Sequence, residues 1–199
     1  MKSGWFENLA FNNLLWAQIQ KKQVIPVWKE SLKLPEDCTA LEVGCGRGVG
    51  SASLLDAFNL GRLDAFDIDE KLVKKAGEYV SGEYGGRIRV YVGDVTQIQS
   101  GDGTYDAVFD FFTLNQVGDW RKGLSEISRV LKSGGFFAFA EVYGEVYNWH
   151  IINHFLVHPE GERIERQSLV KGLAEERLRL MEKRNNLWGN GLVGVARKV

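Results

Sequence analysis

Leu41-Glu42-Val43-Gly44-Cys45-Gly46-Arg47-Gly48-Val49-Gly50 decides how this chain is read. An apolar run opens near Ala40, carries an acid at Glu42, and breaks into alternating glycines. The apolar, helix-compatible stretch Ser51 to Phe58 follows. The pattern predicts strand, tight loop, helix. Glycines at such a junction let the backbone turn sharply and approach a ligand with no Cβ in the way. The helix start behind the loop offers free N–H groups to a polar or anionic group.

Two ligands compete for this loop. A dinucleotide needs Gly-x-Gly-x-x-Gly, whose third glycine allows close helix–strand packing beneath a pyrophosphate. Here Val49 stands at that third position, and the spacing is Gly-x-Gly-x-Gly. Glu42, two residues before the first glycine, is awkward for a pyrophosphate but suits a ligand carrying an ammonium, such as the methionine portion of S-adenosylmethionine. Arg62-Leu63-Asp64-Ala65-Phe66-Asp67-Ile68-Asp69 reads as a second strand ending in Asp67. A carboxylate there is placed to accept from both ribose hydroxyls. Ile88 to Val95 reads as a third strand ending in Gly93-Asp94, where Asp94 could accept from an adenine amino group with the Val95 N–H nearby. Each acid alone could be a solvated turn residue; three at successive strand ends beside one glycine loop argue for a site.

With these residues in view, the chain resembles the class I S-adenosylmethionine-dependent methyltransferases, in the type 11, ubiquinone/menaquinone-methyltransferase-like branch that acts on small molecules. Leu41–Gly48 is similar to that family's first motif, Phe66–Asp69 to its second and Gly93–Val95 to its third. Tyr105–Val117 resembles the fourth strand and its loop, and Leu124–Phe137 the helix and turn leading to the fifth strand. The likeness covers roughly residues 38 to 142. Two departures fall at the acceptor end: Asn115-Gln116 where relatives often carry two histidines, and Asp110 where they often carry a small polar residue.

The resemblance implies an α/β fold. It is a Rossmann-like, seven-stranded, mostly parallel sheet with helices on both faces, and its last strand is antiparallel, added by a hairpin at the sheet edge. It also implies S-adenosylmethionine as cofactor. Gly44, Cys45, Gly46 and Gly48 would meet its methionine portion, with Glu42 organising contacts near the ammonium. Asp67 would bind the ribose, Ile68 would pack on an adenine face, and Asp94 and Val95 would meet the adenine edge. Asp110 and Phe111 would lie beside the methionine chain and the sulfonium.

Composition agrees with this class. The 199 residues suffice for one sizeable core, and a formal net charge of −1 exerts no general pull toward nucleic acid or anionic membrane. No window approaches a transmembrane span, and no basic stretch followed by an apolar run marks a signal peptide. Two cysteines, Cys38 and Cys45, make no disulfide framework, which points to a cytoplasmic setting. The chain reads as a single methyltransferase domain, 1–199, in three stretches. Residues 1–38 form a helical cap of two helices closed by Pro35, and 39–142 alternate strands and helices as the cofactor-binding core. Residues 143–199 hold acceptor-side helices and the strand pair Arg177–Arg184 and Leu192–Lys198.

An oxygen, nitrogen or activated carbon acceptor must lose a proton, which calls for a base near the methyl. His150, His154, Tyr143, Tyr147 and Glu141 follow the fifth strand, and His150 is the catalytic candidate because its unperturbed pKa suits the task. The three histidines, His150, His154 and His158, are spaced by four. The outer pair would stand about 12 Å apart on a straight helix, beyond one ion's reach, and no cysteine joins them, so no metal is expected. Aromatic residues near both ends of the core fit helix–sheet packing and could line an apolar acceptor pocket. No Asn/Asp-Pro-Pro-aromatic signature follows the fourth strand and no dense basic stripe is present, so nucleic acid is not an expected partner.

The expected activity is methyl transfer from S-adenosylmethionine to a small-molecule acceptor, giving S-adenosylhomocysteine. The alternatives are a non-catalytic protein that binds either nucleoside as a sensor or partner support, and a nicotinamide oxidoreductase on the same topology. Neither the acceptor nor the oligomeric state is written in the sequence.

Overall fold

The computed structural model of the protein describes residues 14–142, 164–186 and 191–199. Seven strands form one sheet: β1 Cys38–Val43, β2 Leu60–Asp67, β3 Ile88–Val92, β4 Tyr105–Phe111, β5 Leu131–Val142, β6 Leu178–Asn186 and β7 Gly191–Lys198. Their order is β3-β2-β1-β4-β5-β7-β6. The first five pair in parallel, and β7 runs antiparallel to both β5 and β6. The chain steps outward from β1 to β3, then returns to β4 on the other side of β1. A crevice therefore opens between the carboxyl ends of β1 and β4, the place where open α/β sheets take ligands.

Helices cover both faces. On one lie α1 (Leu14–Ile19), α2 (Ile25–Ser31), α3 (Val49–Ala57) and α4 (Glu70–Val80); on the other lie α5 (Trp120–Val130) and α6 (Arg166–Glu175). Strand alternation assigns each side chain to a face. Ala40, Ala107, Phe109, Ala138 and Ala140 meet α2 and α3, while Leu41, Val43, Val108, Phe137 and Phe139 meet α5 and α6. Trp28 of α2 is fully buried, with ring centroids 5.5 Å from Phe109 and 4.7 Å from Phe111. This contact fixes the leading helices to the sheet.

Three details differ from the sequence expectation. The leading helices are not separate, because α1 and α2 join through a π-helical turn, Gln20–Val24. Pro26 in the first turn of α2 has no N–H for the preceding turn, which widens the helix there. The helical run ends at Ser31, well before Pro35. The hairpin does not add its antiparallel strand at the edge: β7 enters between β5 and β6, leaving β6 outermost. Leu192, Val193, Val195 and Ala196 are fully buried on both faces of β7, whereas exposed Met181 and the charged run Glu182-Lys183-Arg184 place β6 at an edge. Finally, the turn expected at Lys132–Gly135 interrupts β5 itself; Leu131 pairs with Tyr105, and pairing resumes at Phe136 opposite Ala107.

Candidate functional site

The β1–α3 loop turns as its glycines require. Gly44, Gly46 and Gly48 all hold positive φ, at 69°, 54° and 85°, and Gly48 starts α3 with no side-chain cap. A Cβ on residue 44 would overlap the Thr113 side chain, which reaches over from the β4 loop and donates from Oγ1 to Val43 O at 2.9 Å. The loop and the neighbouring strand tip thus interlock. Cys45 is buried inside this loop, where its N–H donates to Phe66 O at 2.9 Å, and burial pushes its thiol pKa up. It is a packing residue.

Asp67 ties the second strand to the same loop. Its Oδ2 accepts from Gly46 N and its Oδ1 from Asp69 N, each at 2.9 Å. Burial raises its pKa, and the hydrogen bonds from Asp69 and Gly46 offset part of that rise. Ile68 follows and is 73% exposed, unlike an ordinary apolar residue at a helix entry, which packs inward. At the third strand end Asp94 is exposed, with Oδ1 accepting from Thr96 N and Thr96 Oγ1, both at 2.8 Å. Val95 is buried, its side chain in the core beneath α5.

Glu42 is buried on the α3 face, accepting from Ser51 Oγ of that helix. Its other oxygen occupies the space that a Cβ on Gly50 would need. Burial is the main cause that holds its carboxyl at a pKa of about 8, with Asp67 and Asp110 adding to the rise and Ser51 opposing it. Phe111 packs its ring on Trp28, so only its backbone is left to face the crevice.

Asp110 points to the opposite face from Glu42, with Val108 and Phe139. Because Asp110 pairs with Phe139, Glu141 two residues on projects from that same face of the neighbouring strand. Both acids are fully buried and face each other. Asp110 Oδ1 accepts from Thr113 N at 2.8 Å, whereas Asp110 Oδ2 and both Glu141 oxygens find no donor among the described residues. Burial is the main cause that raises both pKa values, and for Glu141 the charge of Asp110 adds to the rise. Asn115 in the adjoining 3-10 turn, Leu114–Gln116, is also buried, and its side-chain amide has no partner among the described residues, while Gln116 Nε2 donates to Phe112 O at 2.7 Å.

Phe112 holds a φ of +64° between Asp110 and Thr113. Such strain in a non-glycine residue persists only where surrounding structure over-determines it, most often at functional sites. No sequence signal marked Phe112 or Thr113. His150, the catalytic candidate, and His154, His158, Tyr143 and Tyr147 lie outside the described residues. Among the described residues no group of three or more His, Cys, Asp and Glu side chains could hold a metal ion. None of the helices among them is long and apolar enough to cross a membrane.

Residues 41–139 match a family described as the methyltransferase domain, type 11. Demethylmenaquinone methyltransferase of Clavibacter sepedonicus is 31% identical over 130 residues, which is 65% of this chain and 48% of that protein. The chain spans about half the length of the curated relatives it matches. A methyltransferase from Haloferax volcanii, solved in complex with the Trm112 methyltransferase activator, superposes with a TM-score of 0.77 at 18% identity, covering 100% of this chain and 99% of that one. A SAM-dependent methyltransferase from Aquifex aeolicus gives 0.72 at 20% identity over 92% and 93%; these two likenesses concern the fold alone. The chain belongs to the class I S-adenosylmethionine-dependent methyltransferases, type 11. The family's cofactor is S-adenosylmethionine, and the residues present fit it. The strand tips offer a glycine loop on which no Cβ blocks close approach, an exposed apolar side chain beside Asp67, and buried carboxyls suited to a ligand with a cationic sulfur and an ammonium.

Proposed function

We propose that this chain transfers the methyl group of S-adenosylmethionine to a small-molecule acceptor, leaving S-adenosylhomocysteine. The observation that carries this reading is the direct bond from Gly46 N to Asp67 Oδ2, which makes the glycine loop and the ribose-side acid one unit beside exposed Ile68. In this reading Gly44, Cys45, Gly46 and Gly48 cradle the methionine portion and Glu42 sets the field near its ammonium. Asp67 accepts from the ribose and Ile68 covers an adenine face. Asp94 and the Val95 backbone meet the adenine edge, and Asp110 and the Phe111 backbone border the sulfur. When bound, the cofactor supplies a methyl already activated on a sulfonium. The chain's own work is to position the acceptor in line with it and to exclude water.

A small-molecule acceptor accords with the near-neutral net charge and with relatives such as the demethylmenaquinone enzyme. The stretch 143–199 is assigned to the acceptor side, with His150 as candidate base. The two buried free thiols accord with a cytoplasmic setting. Incubation with methyl-labelled S-adenosylmethionine and a native metabolite extract, followed by mass identification, tests the activity. A labelled small molecule is expected. Stoichiometric binding of the cofactor without any labelled product would instead assign the chain a non-catalytic binding role.

A further inference from the structure

Asp110 and Glu141 lie at the acceptor side of the switch point between β1 and β4, one strand apart on the same face. A ligand with its ribose at Asp67 and its methionine on the Gly44–Gly48 loop presents its sulfur and methyl toward β4 and β5, the side left free. Among the described residues, the elements packed around the pair bring no compensating charge. Val43 of β1 stands beside Asp110 and Leu192 of β7 beside Glu141, both apolar. The turn contributes only neutral groups: the Thr113 N–H and hydroxyl and the Leu114 N–H near Asp110, and the Leu114 and Asn115 amides near Glu141 but short of a hydrogen bond to it. Among the described residues, the titratable neighbour on the opposite face, Glu42, is itself an acid and feels the charge of Asp110.

Two facing carboxyls hydrogen-bond only if one of them carries a proton, and a buried pair without a cation retains that proton. The side-chain amide of Asn115, buried in the same turn and without a partner among the described residues, leaves the cluster short of partners there. A positive charge brought within reach through a low-dielectric interior would favour the ionised form and expel the proton, with no contact required. S-adenosylmethionine and S-adenosylhomocysteine share their adenosine, ammonium and carboxylate; they differ in the methyl and in the charge on sulfur.

Resting on the reading that this nucleoside is the ligand, we propose that the Asp110–Glu141 pair senses the charge on the cofactor's sulfur. It releases its shared proton to solvent when the sulfonium binds and holds it against the neutral thioether. The site thereby favours the methyl donor over its own product. After transfer the sulfur is neutral, the pair regains a proton from solvent, and the product is held less tightly. Asp110 and Glu141 are positioning residues that act through their charge.

Calorimetric titration of the full chain with each nucleoside, in two buffers of different ionisation enthalpy, counts the protons released. The donor is expected to release at least half a proton more than the product near neutral pH. The affinity ratio, donor over product, should then rise by about threefold or more per pH unit. Glu141→Gln, or Asp110→Asn if that variant does not fold, should abolish the difference and flatten the ratio. Equal proton release for the two ligands overturns the inference while leaving the function intact. So does a difference that survives in the Glu141 and Asp110 variants but vanishes in Glu42→Gln. Failure of both nucleosides to bind overturns the functional reading, and the inference with it.

Discussion

Thr113 closes the space above Gly44. Its Oγ1 donates to Val43 O at 2.9 Å, and its side chain fills the volume that any Cβ at residue 44 would occupy. The relationship joins two loops that are distant in sequence and adjacent in space, at the crevice between β1 and β4. Gly44→Ala adds a left-handed non-glycine conformation to this overlap. The variant is expected to lose about 2–4 kcal/mol of stability, read by urea unfolding, and to bind S-adenosylmethionine poorly even where it folds. Wild-type stability and affinity in that variant would contradict the interlock.

Asp67 holds the loop and is assigned to the ribose. Asp67→Ala should weaken S-adenosylmethionine binding by about tenfold or more, as expected when charge-assisted hydrogen bonds are lost. Because Gly46 N would lose its acceptor, the melting temperature should fall as well. Unchanged affinity in isothermal titration would remove Asp67 from the site.

Ile68 separates a structural from a ligand role. At 73% exposure its truncation costs the fold little, so Ile68→Ala should unfold within about 0.5 kcal/mol of the wild type. If it covers adenine, the same change weakens binding of either nucleoside by about threefold to tenfold. Equal affinity in wild type and variant would return Ile68 to the role of an ordinary surface residue.

Glu42 gives stability a pH dependence of definite sign. Its carboxyl titrates at about 8 in the folded chain against an ordinary value of 4.5. Between those values the folded state holds a proton that the unfolded state has lost, so stability falls as pH rises through the window. The slope from this one group is at most about 1.4 kcal/mol per pH unit. Glu42→Gln should flatten the urea-unfolding profile between pH 5 and 8 relative to the wild type. A parallel profile would mean that Glu42 is ionised in the folded protein throughout.

The strand–loop–helix unit at Leu41–Phe58 and the acids Asp67 and Asp94 were legible because their signals are local: glycine spacing, an apolar run and a terminal carboxylate. The parallel core followed from alternation of strands and helices. What local pattern could not show was set by pairing between distant segments. Asp110 meets Glu141 only because the interruption at Lys132–Gly135 shifts β5 against β4, and a one-residue slip would send one acid to the other face. The insertion of β7 between β5 and β6 is likewise set by pairing with a strand distant in sequence, since β5 ends at Val142 and β7 begins at Gly191. Thr113 and Phe112 carry no signature because their importance lies in where the β4 loop ends in space. The continuous helix through Pro26 was missed because proline was read only as a terminator at Pro35.

The proposed site lays S-adenosylmethionine across the carboxyl ends of β2, β1 and β4. A crystal structure of the protein grown with saturating S-adenosylhomocysteine tests it most directly. Ribose hydroxyls are expected within hydrogen-bond distance of Asp67, the methionine portion on Gly44–Gly48, and adenine against Ile68. Ligand density at any other place, or none at a saturating concentration, would contradict it.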